Sequence, residues 1–243
     1  MLFYFSETEE RNQHSRIALK KGERLETPRV LLAVGNDETP LMKSVYAAKR
    51  SREHRFISSA TVVYNDYMNG LWAQPDDKKE KPLIDSAAKL GCDYFVIDDG
   101  WQINDGDNFR HGDWATDGNR FGDGGVKGIL DYISARGMKP GLWLEPDVVG
   151  INSLPYRAHP EWLLTVGGKS YGYEARYFLD FQNAEVRAYL TGVIKRLYDL
   201  GVRYVKCDYN CSYFEADGGQ NKLKENARAI KGFYREIARL FPI

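Results

Sequence analysis

The sequence has no excess charge of either sign and no long hydrophobic run. Its 243 residues include 34 Lys and Arg against 34 Asp and Glu. Proteins bind nucleic acids and acidic membrane surfaces through a clustered excess of Lys and Arg, and this sequence has no such excess. Apolar runs such as 30–34 fall far short of the roughly 20 residues that span a bilayer. We therefore predict no nucleic-acid partner and no membrane partner.

Cysteine and histidine are scarce as well, with three Cys and four His. An odd number of cysteines in a chain of this length favours reduced thiols, and hence a cytoplasmic protein. Cys207 and Cys211 have no second pair that would complete a zinc site. No metal or organic cofactor is implied. We also expect no targeting segment, because the apolar residues 1–5 are followed at once by acidic ones.

Several catalytic and nucleotide-binding motifs are missing. No G-x-G-x-x-G follows a predicted strand, and no glycine-rich loop ends in Gly-Lys-Ser/Thr. The G-x-S-x-G motif of serine hydrolases is absent too. The composition, 43% hydrophobic and 28% charged, is that of a folded globular protein.

From residue 61 onward, strand and helix patterns alternate, which predicts an α/β fold with a parallel sheet. The apolar run at 94–97 is typical of a strand buried on both faces. Glycines at 91, 137 and 201 are placed to end helices. The predicted strands are 61–64, 94–97, 141–144 and 202–206, and the predicted helices are 82–90, 126–136, 183–200 and 221–241.

The first sixty residues have a different pattern. Short strands are predicted at 16–19 and 29–34, followed by a helix at 37–50. Two or three strands cannot hide their edges. This segment is therefore interpreted as the tail of a larger structure.

Polar and acidic residues follow each of the four predicted strands. In parallel sheets and barrels, ligands bind at the carboxyl ends of the strands. One such loop alone would fit ordinary turn chemistry. Four together favour a functional site. The residues are Asn65 and Asp66, Asp98 and Asp99, Glu145 and Asp147, and Lys206, Asp208 and Asn210.

These residue types suit a sugar. Carboxylates accept hydrogen bonds from hydroxyl groups, aromatic rings cover the apolar face of a pyranose, and glycoside cleavage requires carboxyl groups. Four tryptophans lie in or beside the same loops: Trp72, Trp101, Trp114 and Trp143.

Five motifs in order make the sequence similar to a known family. They are YFVIDDGWQ at 94–102, GDW at 112–114, GMKPGLWLEPD at 137–147, RYFLD at 176–180 and VKCDYN at 205–210. From about residue 25 to residue 243 the chain resembles glycoside hydrolase family 36, the α-galactosidases.

The resemblance implies a fold of the (β/α)8 TIM-barrel type, of which this chain would supply only the first four β/α units. Residues 61–243 would form that half of the catalytic barrel. Residues 1–36 would be the tail of an N-terminal β-sandwich, and 37–60 a linker helix.

The resemblance also implies roles for individual residues. Asp208 matches the catalytic nucleophile of a retaining mechanism, and Asp98 and Asp99 match the pair that binds the O4 and O6 hydroxyls of galactose. A cation at position 206 would help to keep Asp208 ionised. The other matched substrate-binding positions are Trp143, Arg176, Lys206, Asn210, Asp66 and Tyr67.

The chain departs from the family pattern in three ways. Cys207 and Tyr67 stand where the family often has Trp, although an Asn-Asp-Tyr-Met-Asn form like 65–69 is similar to some bacterial members. The family's acid/base Asp follows the sixth strand. None of the acids after Asp208 lies in a matching motif, so the acid/base is expected to be absent from this chain. Those acids are Glu215, Asp217, Glu225 and Glu236.

The activity expected of the full-length parent is hydrolysis of terminal α-D-galactosides such as melibiose or raffinose, while this chain alone would turn over poorly. The alternatives are α-N-acetylgalactosaminidase activity, transglycosylation of the raffinose-synthase kind, and a non-catalytic sugar-binding half-barrel. Four strands would leave an open sheet edge. We therefore expect either a homo-oligomer paired edge to edge or a natural protein that continues beyond residue 243.

Overall fold

A computed structural model describes most of the chain, as two compact units, one of residues 17–61 and one that includes 62–243. The described residues are 20–22, 24, 32, 34–52, 61–102, 109–116, 120–173, 175–208 and 222–241.

In the smaller unit, helix α1 spans Glu38–Arg52. The side chain of Asp37 caps it, because Asp37 Oδ1 accepts a hydrogen bond from the N–H of Thr39 at 2.8 Å. This agrees with the predicted helix at 37–50. The strands predicted at 16–19 and 29–34 lie outside the described residues, except for Leu32 and Val34, which are exposed and form no strand.

The larger unit combines parallel strands with longer helices. Its strands are β1 Val63–Asn65, β2 Tyr94–Ile97, β3 Lys139–Leu144, β4 Val148–Gly150, β5 Thr165–Val166, β6 Lys169–Ser170, β7 Gly172–Tyr173, β8 Arg176–Phe178 and β9 Tyr204–Cys207. Its helices are α2 Asp77–Lys89, α3 Gly125–Ala135, α4 Leu154–Ala158, α5 Ala184–Asp199 and α6 Lys222–Leu240.

Four strands form the central parallel sheet, in the order β1-β2-β3-β9. The register pairs Val96 with Gly141 and Trp143 with Lys206. The core contains Phe95, Leu142 and residues from the covering helices, such as Ile129 in α3. The four predicted parallel strands are thus present, with bounds that differ from the predicted ones by at most two residues.

Local sequence signals set the helix ends. Asn183 caps α5 by accepting a hydrogen bond from the N–H of Glu185, and Gly91, Gly137 and Gly201 follow helices with positive φ. The predicted start of α2 at Pro82 is wrong. The helix begins five residues earlier, at Asp77, and Asp76 caps it through the N–H groups of Lys78 and Lys79. Its first turn is too polar to show an apolar period.

The segment between β3 and α5 was not predicted to contain strands. It holds a three-stranded antiparallel sheet, β4-β8-β7, and the hairpin β5-β6. The sheet packs on its own small cluster, which includes Val148, Leu164 and Phe178. Its pairing of Gly150 with Arg176 brings Arg176 back towards the end of β3.

None of the helices in the described residues is long and apolar enough to cross a membrane.

Candidate active site

The loops that follow the four parallel strands lie along one edge of the sheet. Asp66 follows β1, Asp98 follows β2, Glu145 follows β3 and Asp208 follows β9. The hydrogen bonds described below connect neighbouring loops. These four loops are therefore brought together in space, whereas Asp147 accepts a hydrogen bond from the Tyr234 hydroxyl of α6 at 2.7 Å.

A partly buried ion pair joins the end of β9 to the loop after β2. Lys206 Nζ lies 2.7 Å from Asp98 Oδ2, and Asn65 Nδ2 donates to the same oxygen at 2.5 Å. Lys206 Nζ also lies 3.3 Å from Asp208 Oδ2. Burial would lower the pKa of Lys206, but its contacts with Asp98 and Asp208 outweigh burial and raise it. Lys206 is therefore a stable cation between two carboxylates.

Asp208 presents a half-exposed carboxylate at the end of β9. Its backbone N–H donates to the carbonyl of Leu144 at 2.8 Å, and its Oδ2 accepts from Trp143 Nε1 at 3.2 Å. The Trp143 carbonyl in turn accepts from Trp101 Nε1 at 2.8 Å. The carboxylate is thus oriented by neighbours while remaining accessible.

Asp99 is held in its charged form. Its Oδ1 accepts from Gln102 Nε2 at 2.6 Å and lies 3.8 Å from His111 Nε2. Burial would raise the pKa of Asp99, but its interactions with His111 and Gln102 outweigh burial and lower it. Asp99 is suited to accept hydrogen bonds from a ligand's hydroxyl groups.

His111, Glu145 and Arg176 form a second buried polar group beside Asp99. Arg176 Nε donates to Glu145 Oε2 at 2.8 Å, and His111 Nδ1 lies 3.9 Å from the same oxygen. Burial raises the pKa of Glu145, although His111 and Arg176 act against it. The sequence had indicated Arg176, but not a site role for His111. The only signal for His111 was its place next to the GDW motif at 112–114.

The loop after β1 places Asp66 and Tyr67 differently. Asp66 is 1% exposed, and its Oδ1 accepts a hydrogen bond from the N–H of Asp98 at 2.8 Å. The Tyr67 ring contacts the exposed ring of Trp72 edge-on, at 5.3 Å between centroids. Trp72 and Ala73 both have positive φ, of 45° and 60°. Such strained backbone is common at functional sites.

A cavity of about 790 Å³ opens beside Asp99, and its lining is mainly polar. Three residues predicted from the sequence line it: Tyr67, Asp99 and Arg176. The other lining residues include Trp72, Lys79, His111 and Arg120.

The four tryptophans noted in the sequence do not share one environment. Trp101 and Trp114 are buried in the core, and Trp143 is 3% exposed. Trp72 is the exposed member of the set. Trp101, Trp114 and Trp143 therefore pack in the core, while Trp72 lines the cavity.

Cys207 and Asn210 lie close to Asp208 in the sequence. Asn210 lies outside the described residues. Burial, with a smaller effect from Asp147, raises the pKa of the Cys207 thiol to about 11. Cys207 is therefore a neutral thiol beside Asp208.

Gly100 packs the Asp98–Asp99 loop against the loop after β1. It has φ +104°, and a Cβ there would lie 2.3 Å from the Ala73 carbonyl oxygen. We expect Gly100→Ala to lower the free energy of unfolding by about 2–4 kcal/mol, measured by urea denaturation.

The matched control is Gly128→Ala in helix α3. A Cβ at Gly128 meets open space, and its φ is not positive. This change should raise the free energy of unfolding by about 0.5–1 kcal/mol. Equal effects of the two substitutions would contradict the packing described for Gly100.

Comparison with known proteins gives a family for this arrangement. The family model described as Melibiase matches residues 25–242. Alpha-galactosidase 1 of Pediococcus pentosaceus is 30% identical over 198 residues, which cover 79% of this chain and 27% of that protein. Alpha-galactosidase AgaA of Geobacillus stearothermophilus is 29% identical in an alignment of 246 positions, which covers 92% of this chain and 32% of AgaA.

The fold is similar to solved structures as well. The GH36 α-galactosidase AgaA structure superposes with a TM-score of 0.65 at 25% identity, over 76% of this chain and 27% of that one. This chain thus spans about a third or less of the length of these relatives. Because the family model matches most of its residues, the chain belongs to the Melibiase family, among relatives that are GH36 α-galactosidases.

Proposed function

We propose that the full-length parent of this chain hydrolyses terminal α-D-galactosides with retention of configuration, that Asp208 is the nucleophile, and that this chain alone turns over poorly. One observation carries the proposal. The accessible Asp208 carboxylate lies 3.3 Å from Lys206 Nζ, and the same ammonium group holds the buried carboxylate of Asp98. A nucleophile is thereby tied to a residue that the family resemblance assigns to galactose binding.

In the proposed reaction, one Asp208 oxygen attacks the anomeric carbon of galactose. The bond from that carbon to the leaving oxygen breaks, and a second carboxyl group protonates the leaving oxygen. The same second carboxyl then takes a proton from water, and the water oxygen replaces Asp208 at the anomeric carbon. We propose that the second carboxyl comes from the part of such enzymes that this chain does not match.

The other residues would bind and orient the sugar. Asp98 and Asp99 would accept hydrogen bonds from the O4 and O6 hydroxyls, and Lys206 would donate to the sugar. Arg176 and Tyr67 line the cavity next to Asp99, which supports a role in contacting substrate. The proposed set of substrate-binding residues also includes Trp143, Asp66 and Asn210. These three are assigned from the family resemblance alone.

The proposed architecture is half of a (β/α)8 barrel. Four neighbouring parallel strands in sequential order, each leading to a helix, support the assignment of 61–243 to the first four β/α units. We further propose that 1–36 are the tail of a β-sandwich and that 37–60 are a linker helix. In this arrangement, the outer edges of β1 and β9 would join the remaining barrel strands.

Oligosaccharides that end in α-galactose are the proposed substrates. Variants of AgaA have been solved in complex with raffinose and with stachyose. Melibiose and raffinose carry the same terminal sugar. The balanced charge of the chain suits these neutral molecules.

Calorimetric titration with galactose, and NMR detection of the first galactose anomer released from raffinose, test this proposal. We expect galactose to bind and α-galactose to appear first. Transfer of galactose to added sucrose would indicate a transglycosylase instead, and a preference for α-N-acetylgalactosaminides would indicate that activity. Binding of galactose without turnover, even when the remaining barrel strands are supplied in trans, would support a sugar-binding protein and contradict the proposed hydrolase.

A further inference from the structure

Glu80 is a buried carboxyl group that the proposed mechanism does not use. It lies in α2 and is 0% exposed. Neither of its carboxyl oxygens receives a hydrogen bond from an N–H or O–H group of the described residues. A charged carboxylate without donors would be very unfavourable in such a place.

The group that Glu80 does contact is a second carboxyl. Its side chain lies within hydrogen-bonding reach of that of Asp66, and both side chains are buried. Two carboxyl groups can form a hydrogen bond only when one of them carries a proton, because a carboxylate has no donor. A hydrogen bond between these two groups would therefore require one shared proton.

The surroundings decide which member carries the proton. Burial raises the pKa of Asp66, but the backbone N–H of Asp98 donates to Asp66 Oδ1 at 2.8 Å and favours its charged form. Glu80 has no comparable donor. Burial, followed by the hydrogen bond and charge of Asp66, raises the pKa of Glu80 to about 10.

We propose that Glu80 is a neutral carboxylic acid that donates its proton to Asp66, and that it thereby positions Asp98 for sugar binding. The contacts run from the Glu80 O–H to Asp66, from Asp66 to the Asp98 backbone, and from the Asp98 carboxylate to Lys206. Glu80 is a positioning residue, since Asp66 and Asp98 stand between it and the sugar. The link to sugar binding rests on the proposed function, whereas the protonation of Glu80 does not.

Infrared spectroscopy of the protein labelled with carboxyl-¹³C glutamate tests the protonation. At pH 8 we expect a carbonyl band of a protonated carboxylic acid that shifts with the label. The band should vanish in Glu80→Gln. Burial raises the pKa of Asp147 to about 6, so this group is charged at pH 8 and gives no acid band. A band from any aspartic acid would also not shift, because only glutamate carries the label. Absence of a labelled acid band in the unmodified protein would overturn the proposal, whether or not the variant folds.

The pH dependence of stability gives a second test, whose sign follows from the raised pKa. The proton on Glu80 stabilises the folded state fully below the pKa of 4.5 in the unfolded chain, and this stabilisation is lost as the pH rises towards 10. The groups that act on Glu80 are Tyr64, Asp66, Asp76 and Lys79. Relative to Glu80→Gln, the folding equilibrium constant should fall about tenfold per pH unit between these values. Parallel pH profiles would contradict the proposal.

Two variants test the positioning. Glu80→Gln keeps a donor for Asp66, whereas Glu80→Met has similar size and no donor. In ¹⁵N spectra, the amide signal of Asp98 should stay in place in Glu80→Gln and move in Glu80→Met. Galactose affinity should be kept in the first variant and fall about tenfold in the second, the loss expected for about one hydrogen bond.

Ile84→Val, a conservative change one helical turn away, controls for general loosening of α2. It should alter neither the Asp98 amide signal nor the affinity. Equal behaviour of the Gln and Met variants would overturn the positioning role. If no form of the protein bound galactose, the proposed function would fail, while the infrared and ¹⁵N results would still decide the state and role of Glu80.

Discussion

Replacing Asp208 with Asn should lower kcat/KM for α-galactosides by on the order of 10⁴-fold, as expected when a catalytic nucleophile is removed. Asn has nearly the same shape but cannot form the glycosyl ester. Trp143 Nε1 can still donate to the amide oxygen that replaces Asp208 Oδ2. We therefore expect folding and galactose affinity to change little. Initial rates of p-nitrophenol release, with calorimetry of galactose binding, measure both effects.

Asp131→Asn is the matched control for this substitution. Asp131 is an exposed aspartate on α3, in an ion pair with Lys127. Surface pairs of this kind contribute little to stability, and Asp131 lies on a helix away from the strand ends. Its variant should keep full activity. If the Asp208→Asn variant had an activity close to that of the control, the assignment of the nucleophile would be refuted.

The second large effect is expected at the ion pair between Lys206 and Asp98. Lys206→Met removes the cation and leaves Asp98, whose side chain is 4% exposed, as a buried charge with Asn65 as a remaining donor. Breaking a fully buried pair costs about 3–5 kcal/mol, and the partial exposure of Lys206 reduces this to about 2 kcal/mol. Galactose binding should be lost as well, because the sugar would lose a donor and a fixed carboxylate.

A double substitution separates the two effects. In Lys206→Met with Asp98→Asn, no uncompensated charge remains at Asp98, so the double variant should be more stable than Lys206→Met alone. Its galactose binding should stay lost. Urea denaturation and calorimetry of the four proteins complete the cycle. Recovery of binding together with stability would show that Lys206 and Asp98 serve the fold and not the sugar.

The central sheet was largely predictable because its signals are local. The run at 94–97 is apolar throughout and forms β2 with the predicted bounds. Asn183 and the glycines after the helices have side-chain and backbone chemistry that acts within one turn. The small sheet after β3 gave no such signal. Its strands are two or three residues long and are held by pairing across the chain, as between Gly150 and Arg176.

The sequence predicted which site residues lie at the strand ends, but it did not predict the contacts between them. The sequence placed Asp98 and Lys206 at two strand ends, and their ion pair spans more than a hundred residues of chain. For His111 the one signal was its place beside the GDW motif, and Glu80 gave none, because a lone histidine and a glutamate in a polar helical turn are common. Their burial against Asp99 and Asp66 is a property of tertiary packing. Neither the roles of the site residues nor a cytoplasmic location is tested by the fold, and both stay predictions.

Covalent labelling tests the central claim most directly. A galactose-configured cyclophellitol aziridine reacts with the nucleophile of retaining galactosidases, and peptide mass spectrometry then locates the modified residue. We predict one modified carboxylate, Asp208, within the tryptic peptide 207–222, and no labelling in Asp208→Asn. Labelling of Glu215 or Asp217 in the same peptide, or of any other carboxylate while Asp208 stays unmodified, would contradict the account.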